Sequence, residues 1–169
     1  MVERSLDALV VTSLPNVLYL TNFEGSSAIA VLTADRLIFI TDFRYASALS
    51  DTRGAADQCP GLELITVAGS YDATLATVLS AMGSVRVGFE APHLSVSRHA
   101  WLQTTLGDVH AAPKLIATEA IVERARVRKD SYELTVLREA ARRLSVVAAD
   151  VFGEIRRGRT EREIALAVD

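Results

Sequence analysis

Short unbroken apolar runs separated by polar turn formers fill the first two thirds of the chain, and a helical periodicity fills the last third. "DALVVTS" is apolar on consecutive positions, the pattern of a strand covered on both faces. "LPNVLYLTNF" then carries Pro15 at an early helical position, with Val17, Leu18, Leu20 and Phe23 apolar, and predicts one or two helical turns. In "SSAIAVLTADRLIFITDFRY" two apolar runs flank "TADR", a hairpin signature. Asp42 is placed to cap a short helix from Phe43 to Leu49. "ELITV" and "VRVGFE" predict strands. Between them Leu75, Val78, Leu79 and Met82 fall at helical spacing after Ser70, and "LSVSRHAWLQTTLG" predicts a helix between Ser95 or Ser97 and Gly107. "DVHAAP" is expected to give a short last strand. Strand–helix alternation with one inserted hairpin predicts an α/β domain with a mixed sheet.

Beyond about residue 118 the pattern changes. "TEAIVERARV" predicts a short helix. "RKDSYELTVLREAARRLSVVAADVFGEIRRG" predicts a long one, capped by Asp130 with Glu133 and closed by Gly158, with Leu137, Ala141, Leu144, Ala148, Val151 and Ile155 in one stripe. Roughly 27 residues at 1.5 Å each give a rod of about 40 Å, whose stripe is expected to need a partner surface. Thr160 with Glu163 forms a capping box that opens one more helix, "EREIALAV". The expected division is 1–118 and 119–169.

Charge sharpens that division. Residues 1–120 hold 7 Lys/Arg against 12 Asp/Glu, whereas 121–169 hold 11 against 9. The net −3 gives no reason to expect a polyanionic partner. The arginines of the last segment alternate with Glu123, Asp130, Glu133, Glu139 and Glu154, the mark of a solvated, ion-paired helix face rather than a nucleic-acid surface. Cys59 is the single cysteine, so no intrachain disulfide is possible and a reducing, cytoplasmic setting fits. No apolar run approaches the roughly 20 residues of a membrane span, and the start lacks a basic segment ahead of its apolar run.

Candidate chemistry is sparse. His93, His99 and His110 are not at ligand spacing on one helix face, and Cys59 in "DQCPG" reads as an ordinary thiol. Neither a nucleophile elbow, a phosphate loop nor a dinucleotide fingerprint is present. Ser26 and Ser27 in "EGSSA" follow no recognisable acid–base partner motif and read as a turn into a strand. No catalytic residue and no metal ligand is assigned.

The residues nevertheless resemble a known family. Tyr19, Leu20, Thr21, Phe23, Gly25, Ser26 and Ser27, then Thr41, Asp42, Arg44 and Tyr45, match "YLTGF-x-GSSG" and "TDGRY" of the pita-bread metallopeptidases: aminopeptidase P, prolidase and the related creatinase. "VRVGFE", "ERARVRKDSYELTVLREAARRL" and "GRTEREIA" are similar to later segments of the same proteins, in the same order. Asn22, Ala28 and Phe43 stand where glycine is common.

The resemblance implies a creatinase/prolidase-type N-terminal domain followed by the first helices of a pita-bread domain, with the chain stopping where the catalytic part begins. It implies no cofactor in this part. In the full-length enzyme it implies two divalent ions (manganese, cobalt or zinc), held by two aspartates, a histidine and two glutamates, and hydrolysis of small proline-containing peptides. It also implies a dimer in which this domain walls a neighbouring protomer's active site. Asn22, Phe23, Asp42, Phe43, Arg44 and Tyr45 are the candidate wall or inter-subunit residues: Arg44 suits a substrate carboxylate or an acidic surface, and Phe23 or Phe43 an apolar proline pocket. The alternatives are that Asp42 caps a helix, Arg44 is solvated and the phenylalanines fill the core. For the whole chain they are a stand-alone α/β binding module, a creatinase-like amidinohydrolase domain, or a hydrolase built on Ser26 or Ser27.

Overall fold

The structure, a computed structural model, describes residues 5–51, 59, 61–83, 85–107 and 112–168. It divides into two compact units, Met1–Ala125 and Arg126–Asp169.

The first unit is built on a six-stranded sheet. β1 (Ala8–Val11), β2 (Ile29–Leu32) and β3 (Leu37–Thr41) form an antiparallel meander, with Val10 opposite Val31 and Ala30 opposite Phe39. β4 (Leu62–Thr66) adds parallel to β3, β5 (Arg86–Glu90) parallel to β1 and β6 (Lys114–Thr118) parallel to β5, giving the order β4-β3-β2-β1-β5-β6. Of these strands β2 alone runs against the rest.

Adjacent strand residues face opposite ways, and helices cover both sides, which is why β1 is apolar at every position. Ala8, Val10, Ile29, Val31, Ile38, Ile40, Val87 and Phe89 pack with Leu75, Val78 and Leu79 of α3 (Tyr71–Ala81) and with Leu102 and Leu106 of α4 (Val96–Gly107). Leu9, Val11, Ala30 and Phe39 pack with Val17 of α1 (Leu14–Thr21) and Val122 of α5 (Ile121–Val127), flanked by Tyr45 and Leu49 of α2 (Phe43–Asp51). Capping fixes the helix starts. Ser70 Oγ accepts the Ala73 N–H at 3.1 Å, and Ser95 Oγ accepts the Arg98 N–H at 3.3 Å.

The last strand is not where the sequence pattern put it. It forms at Lys114–Thr118, and of "DVHAAP" residues 108–111 lie outside the described ones. Pro113 has no N–H to give a ladder, whereas the five residues after it pair in register with β5, Phe89 against Ala117. Thr118 therefore belongs to the sheet, and α5 starts only after Ala120 turns the chain at a φ of 55°.

In the second unit α6 (Ser131–Glu154) opens with the expected capping box: Asp130 Oδ1 accepts the Glu133 N–H at 2.8 Å and Glu133 Oε2 accepts the Asp130 N–H at 2.9 Å. It ends at Glu154 rather than running to Gly158. Gly153 weakens the last turn, Arg156 Nε donates to the Gly153 carbonyl at 2.7 Å, and Ile155 is extended. α7 (Glu161–Val168) follows, the Thr160 N–H donating to Glu163 Oε2 at 2.8 Å. No described residue of α6 is buried, and Leu137, Leu144 and Ile155 stand exposed. Among the described residues no helix is long and apolar enough to cross a membrane.

Candidate functional site

With five strands pointing one way, the C-terminal ends of β1, β3, β4, β5 and β6 meet the start of β2 along a single sheet edge. Loops that leave such an edge ride on a rigid base, the usual position of a binding surface in an α/β sheet.

One part of that edge is a scaffold. Glu90, the last residue of β5, is 7% exposed and accepts the Thr12 and Ser13 N–H groups at 2.7 and 2.8 Å and Asn16 Nδ2 at 2.5 Å. Ser13 gives α1 no side-chain cap, so a carboxylate from a distant strand satisfies the turn and sits at the positive end of the helix. Asn16 Nδ2 also donates to Glu123 Oε1 at 2.7 Å, which ties α1 to α5.

The other part carries Asp42, Phe43, Arg44 and Tyr45, with Phe23 packed against Tyr45, and gives the six sequence candidates unequal roles. Asn22 ends α1 in the left-handed region, φ 57°, its N–H donating to the Leu18 carbonyl at 2.8 Å. An asparagine at a position where glycine is common is explained by that backbone. Phe23 turns inward. It is buried, edge-on to Phe39 at 5.0 Å and to Tyr45 at 5.1 Å, and it supports the surface from beneath instead of reaching out of it. Its ring lies against Gly25, where an added Cβ would come within 2.6 Å of Phe23 Cε1.

Phe43 is the outward one, 75% exposed at the first position of α2. Asp42 Oδ1 accepts the Arg44 N–H at 3.0 Å, so it caps α2, and its carboxylate also holds the Arg44 guanidinium by Nε at 2.9 Å and Nη2 at 2.7 Å. That pairing keeps the Asp42 carboxyl far below the usual range and the Arg44 guanidinium above its own. The forked edge of Arg44 is thus occupied within the chain, while its side chain as a whole stays half exposed. The guanidinium carbon lies 5.3 Å from the Tyr45 ring centroid.

Two residues outside the candidate set complete the arrangement. The Ser26 hydroxyl and the Tyr45 phenol are 2.9 Å apart, the Ser26 N–H donates to the same phenol at 3.2 Å, and these bonds lower the phenol's pKa. Tyr71, first residue of α3, places its hydroxyl 2.8 Å from Asp42 Oδ2 and 3.0 Å from the Ser27 carbonyl, and accepts the Asp42 N–H at 3.1 Å. Burial raises its pKa. The loop before β2 and the turn after β3 are therefore fastened together.

Beside this fastening a cleft of about 640 Å³ opens, lined by Thr12, Ser26, Ser27, Tyr71, Arg98 and Trp101 among others. Arg98 is ion-paired with Asp72 there.

Among the described residues the arrangement offers groups that can bind and orient. Ser26 is bonded to a phenol, which is no general base near neutrality. Burial pushes the Cys59 thiol up, away from the reactive thiolate. His99 packs on Phe89 with ring centres 4.9 Å apart, and His110 lies outside the described residues. Among the described residues no group of three or more His, Cys, Asp and Glu is placed to hold a metal ion.

Comparison with known proteins gives the arrangement its relatives. A family model described as "Creatinase/Prolidase N-terminal domain" matches residues 1–128. The chain is 35% identical over 153 residues to the uncharacterized peptidase YqhT of Bacillus subtilis, aligning 90% of this chain with 39% of that protein. It is similar to the Xaa-Pro dipeptidase from Bacillus anthracis, with a TM-score of 0.82 and 27% identity over 98% of this chain and 44% of the other. It is also similar to the N-terminal domain of the cytoplasmic peptidase PepQ from Mycobacterium tuberculosis, with a TM-score of 0.59 and 26% identity over 73% and 89%. The chain thus spans about two fifths of the curated relative it matches.

Proposed function

The chain belongs to the creatinase/prolidase N-terminal domain family, and on that premise we propose that it is the non-catalytic part of a dimetal Xaa-Pro peptidase of the aminopeptidase P or prolidase type. In this reading it supports oligomerisation, as a dimer, and walls the active site of a neighbouring protomer against anything larger than a small proline-containing peptide. A cytoplasmic setting suits its single cysteine.

The observation that carries the reading is the likeness, across 98% of this chain, to less than half of a Xaa-Pro dipeptidase. The sheet-edge surface supports it further. Phe43 and Arg44 are exposed on a base stiffened by Asp42, Tyr45, Ser26 and Tyr71, as a wall for another protomer's substrate requires.

The two divalent ions do not fit the residues present here, since no cluster of three or more suitable side chains exists among the described ones. In this reading their ligands belong to the remainder of the enzyme, and no step is routed through them.

The test begins with the coding sequence adjoining Asp169. A continuation with spaced Asp, Asp, His, Glu and Glu, encoding an enzyme that cleaves Xaa-Pro dipeptides or N-terminal Xaa-Pro bonds and loses that activity to a chelator, is the expected result. A continuation without those five residues, or an enzyme active on guanidino compounds instead of peptides, would refute it.

A further inference from the structure

We propose that Tyr71 is a positioning residue: its hydroxyl clamps the Ser27 loop to the Asp42 turn and thereby sets the direction in which Arg44 and Phe43 face a substrate. The inference rests on the reading of this surface as an active-site wall.

The clamp follows from counting protons. A phenol has one hydrogen to donate and lone pairs to accept with. The Ser27 carbonyl already accepts from Thr41 Oγ1 at 2.8 Å. The Asp42 carboxylate and the Ser27 carbonyl can only accept, so the one Tyr71 proton is shared between Asp42 Oδ2, at 2.8 Å, and the Ser27 carbonyl, at 3.0 Å, the shorter arm being charge-assisted. The phenol oxygen in turn accepts the Asp42 N–H at 3.1 Å. One atom, part-buried at the start of α3, thus contacts both segments that form the outward surface. Asp42 Oδ2 also receives Arg44 Nη2, at 2.7 Å, so the carboxylate that Tyr71 fixes is the one that orients the guanidinium.

Nothing about this requires Tyr71 to meet a ligand. Its ring is packed against the core face that α3 covers. The hydroxyl is therefore the separable part, and Tyr71→Phe removes it while keeping the ring.

The experiment has two arms. In the first, amide hydrogen exchange is compared for the wild-type chain and Tyr71→Phe. Faster exchange at Asp42 and at 43–45 is expected, with β1, β2 and β5 unchanged; unaltered exchange at Asp42 overturns the clamp. In the second, the full-length enzyme is assayed on a Xaa-Pro dipeptide as Tyr71→Phe, Arg44→Ala and the double variant. A roughly tenfold rise in KM with kcat little changed is expected for each single variant, the size of one lost charge-assisted contact, and no further rise in the double. Unchanged KM in Tyr71→Phe beside a raised KM in Arg44→Ala, or single effects that multiply, overturns the positioning role. Unchanged KM and unchanged assembly in Arg44→Ala overturns the wall reading itself, and the inference falls with it.

Discussion

Replacing Glu90 by alanine would remove the one group that satisfies the N–H donors of Thr12 and Ser13 as the chain leaves β1 for α1. The side chain is 7% exposed, so water has little access to take its place. Orphaning a buried donor costs about 1–3 kcal/mol, and two backbone donors plus the lost Asn16 contact bring the total to about 4 kcal/mol. The isosteric Glu90→Gln keeps one acceptor oxygen but turns an NH₂ toward a donor, with a cost of about 2 kcal/mol. Urea denaturation followed by circular dichroism measures both, with an unchanged slope showing that the folded state is comparable. At roughly 2–4 °C per kcal/mol for a chain of this size, alanine should lower the thermal midpoint by about 8–16 °C. A loss below about 0.5 kcal/mol in Glu90→Ala, the range of ordinary surface changes, would refute the assignment of Glu90 as the group that satisfies the Thr12–Ser13 turn.

Gly25→Ala places a Cβ against Phe23 Cε1 and Cε2, at 2.6 and 2.8 Å, and must push the ring out of its place between Phe39 and Tyr45. A loss of about 2 kcal/mol in the same urea assay is expected, and stability equal to wild type would mean that the ring is not held there. Leu79→Ala empties a fully buried site under the sheet and should cost about 3 kcal/mol, with Leu75→Ala as a companion of similar size. Glu139 is held by Arg142 and Arg143, and its carboxyl should titrate near a pKa of about 2 instead of 4.5 when followed by NMR. Because the folded value is depressed, the helical contribution of these pairs is complete above about pH 4.5 and is lost as pH falls toward about 2. Arg143→Ala should raise that midpoint, and a midpoint already near 4.5 in the wild-type chain would exclude the pairing.

Much of the first unit is legible in the sequence because its strands and helices obey short-range rules. "ALVV" and "LIFIT" are apolar runs bounded by turn formers, and Ser70 announces α3 by cap chemistry alone. The last strand was misplaced because its signal is relational. "KLIAT" is no more strand-like than its neighbours until β5 is there to pair with it, and Pro113 decides the boundary only once a ladder exists. The end of α6 failed for a similar reason. A glycine five positions short of the expected stop, and an arginine reaching back to its carbonyl, outweigh the continuing apolar stripe.

The site was legible as a set of residues but not as a mechanism of support. "GSSA" and "TDFRY" present themselves as separate patterns, and nothing in either string says that they are halves of one device. In the fold they are adjoining lines of hydrogen bonds: Ser26 to Tyr45, Ser27 to Thr41 and Tyr71, Asp42 to Arg44 and Tyr71. A further partner that bonds to both, Tyr71, lies 29 residues beyond Asp42 and belongs to no pattern of its own. It reaches the rim because β4 lies parallel to β3, so that both strands end at the same edge and the chain enters α3 from there. Sequence periodicity records which face a residue occupies and says nothing of which edge its loop leaves from. Glu90 is illegible in the same way, a carboxylate ending an apolar strand whose purpose lies 74 residues back at Asn16. Groups of this kind become findable once strand order is known: a polar residue at the C-terminal end of a buried strand must be satisfied by whatever loop the topology sets beside it.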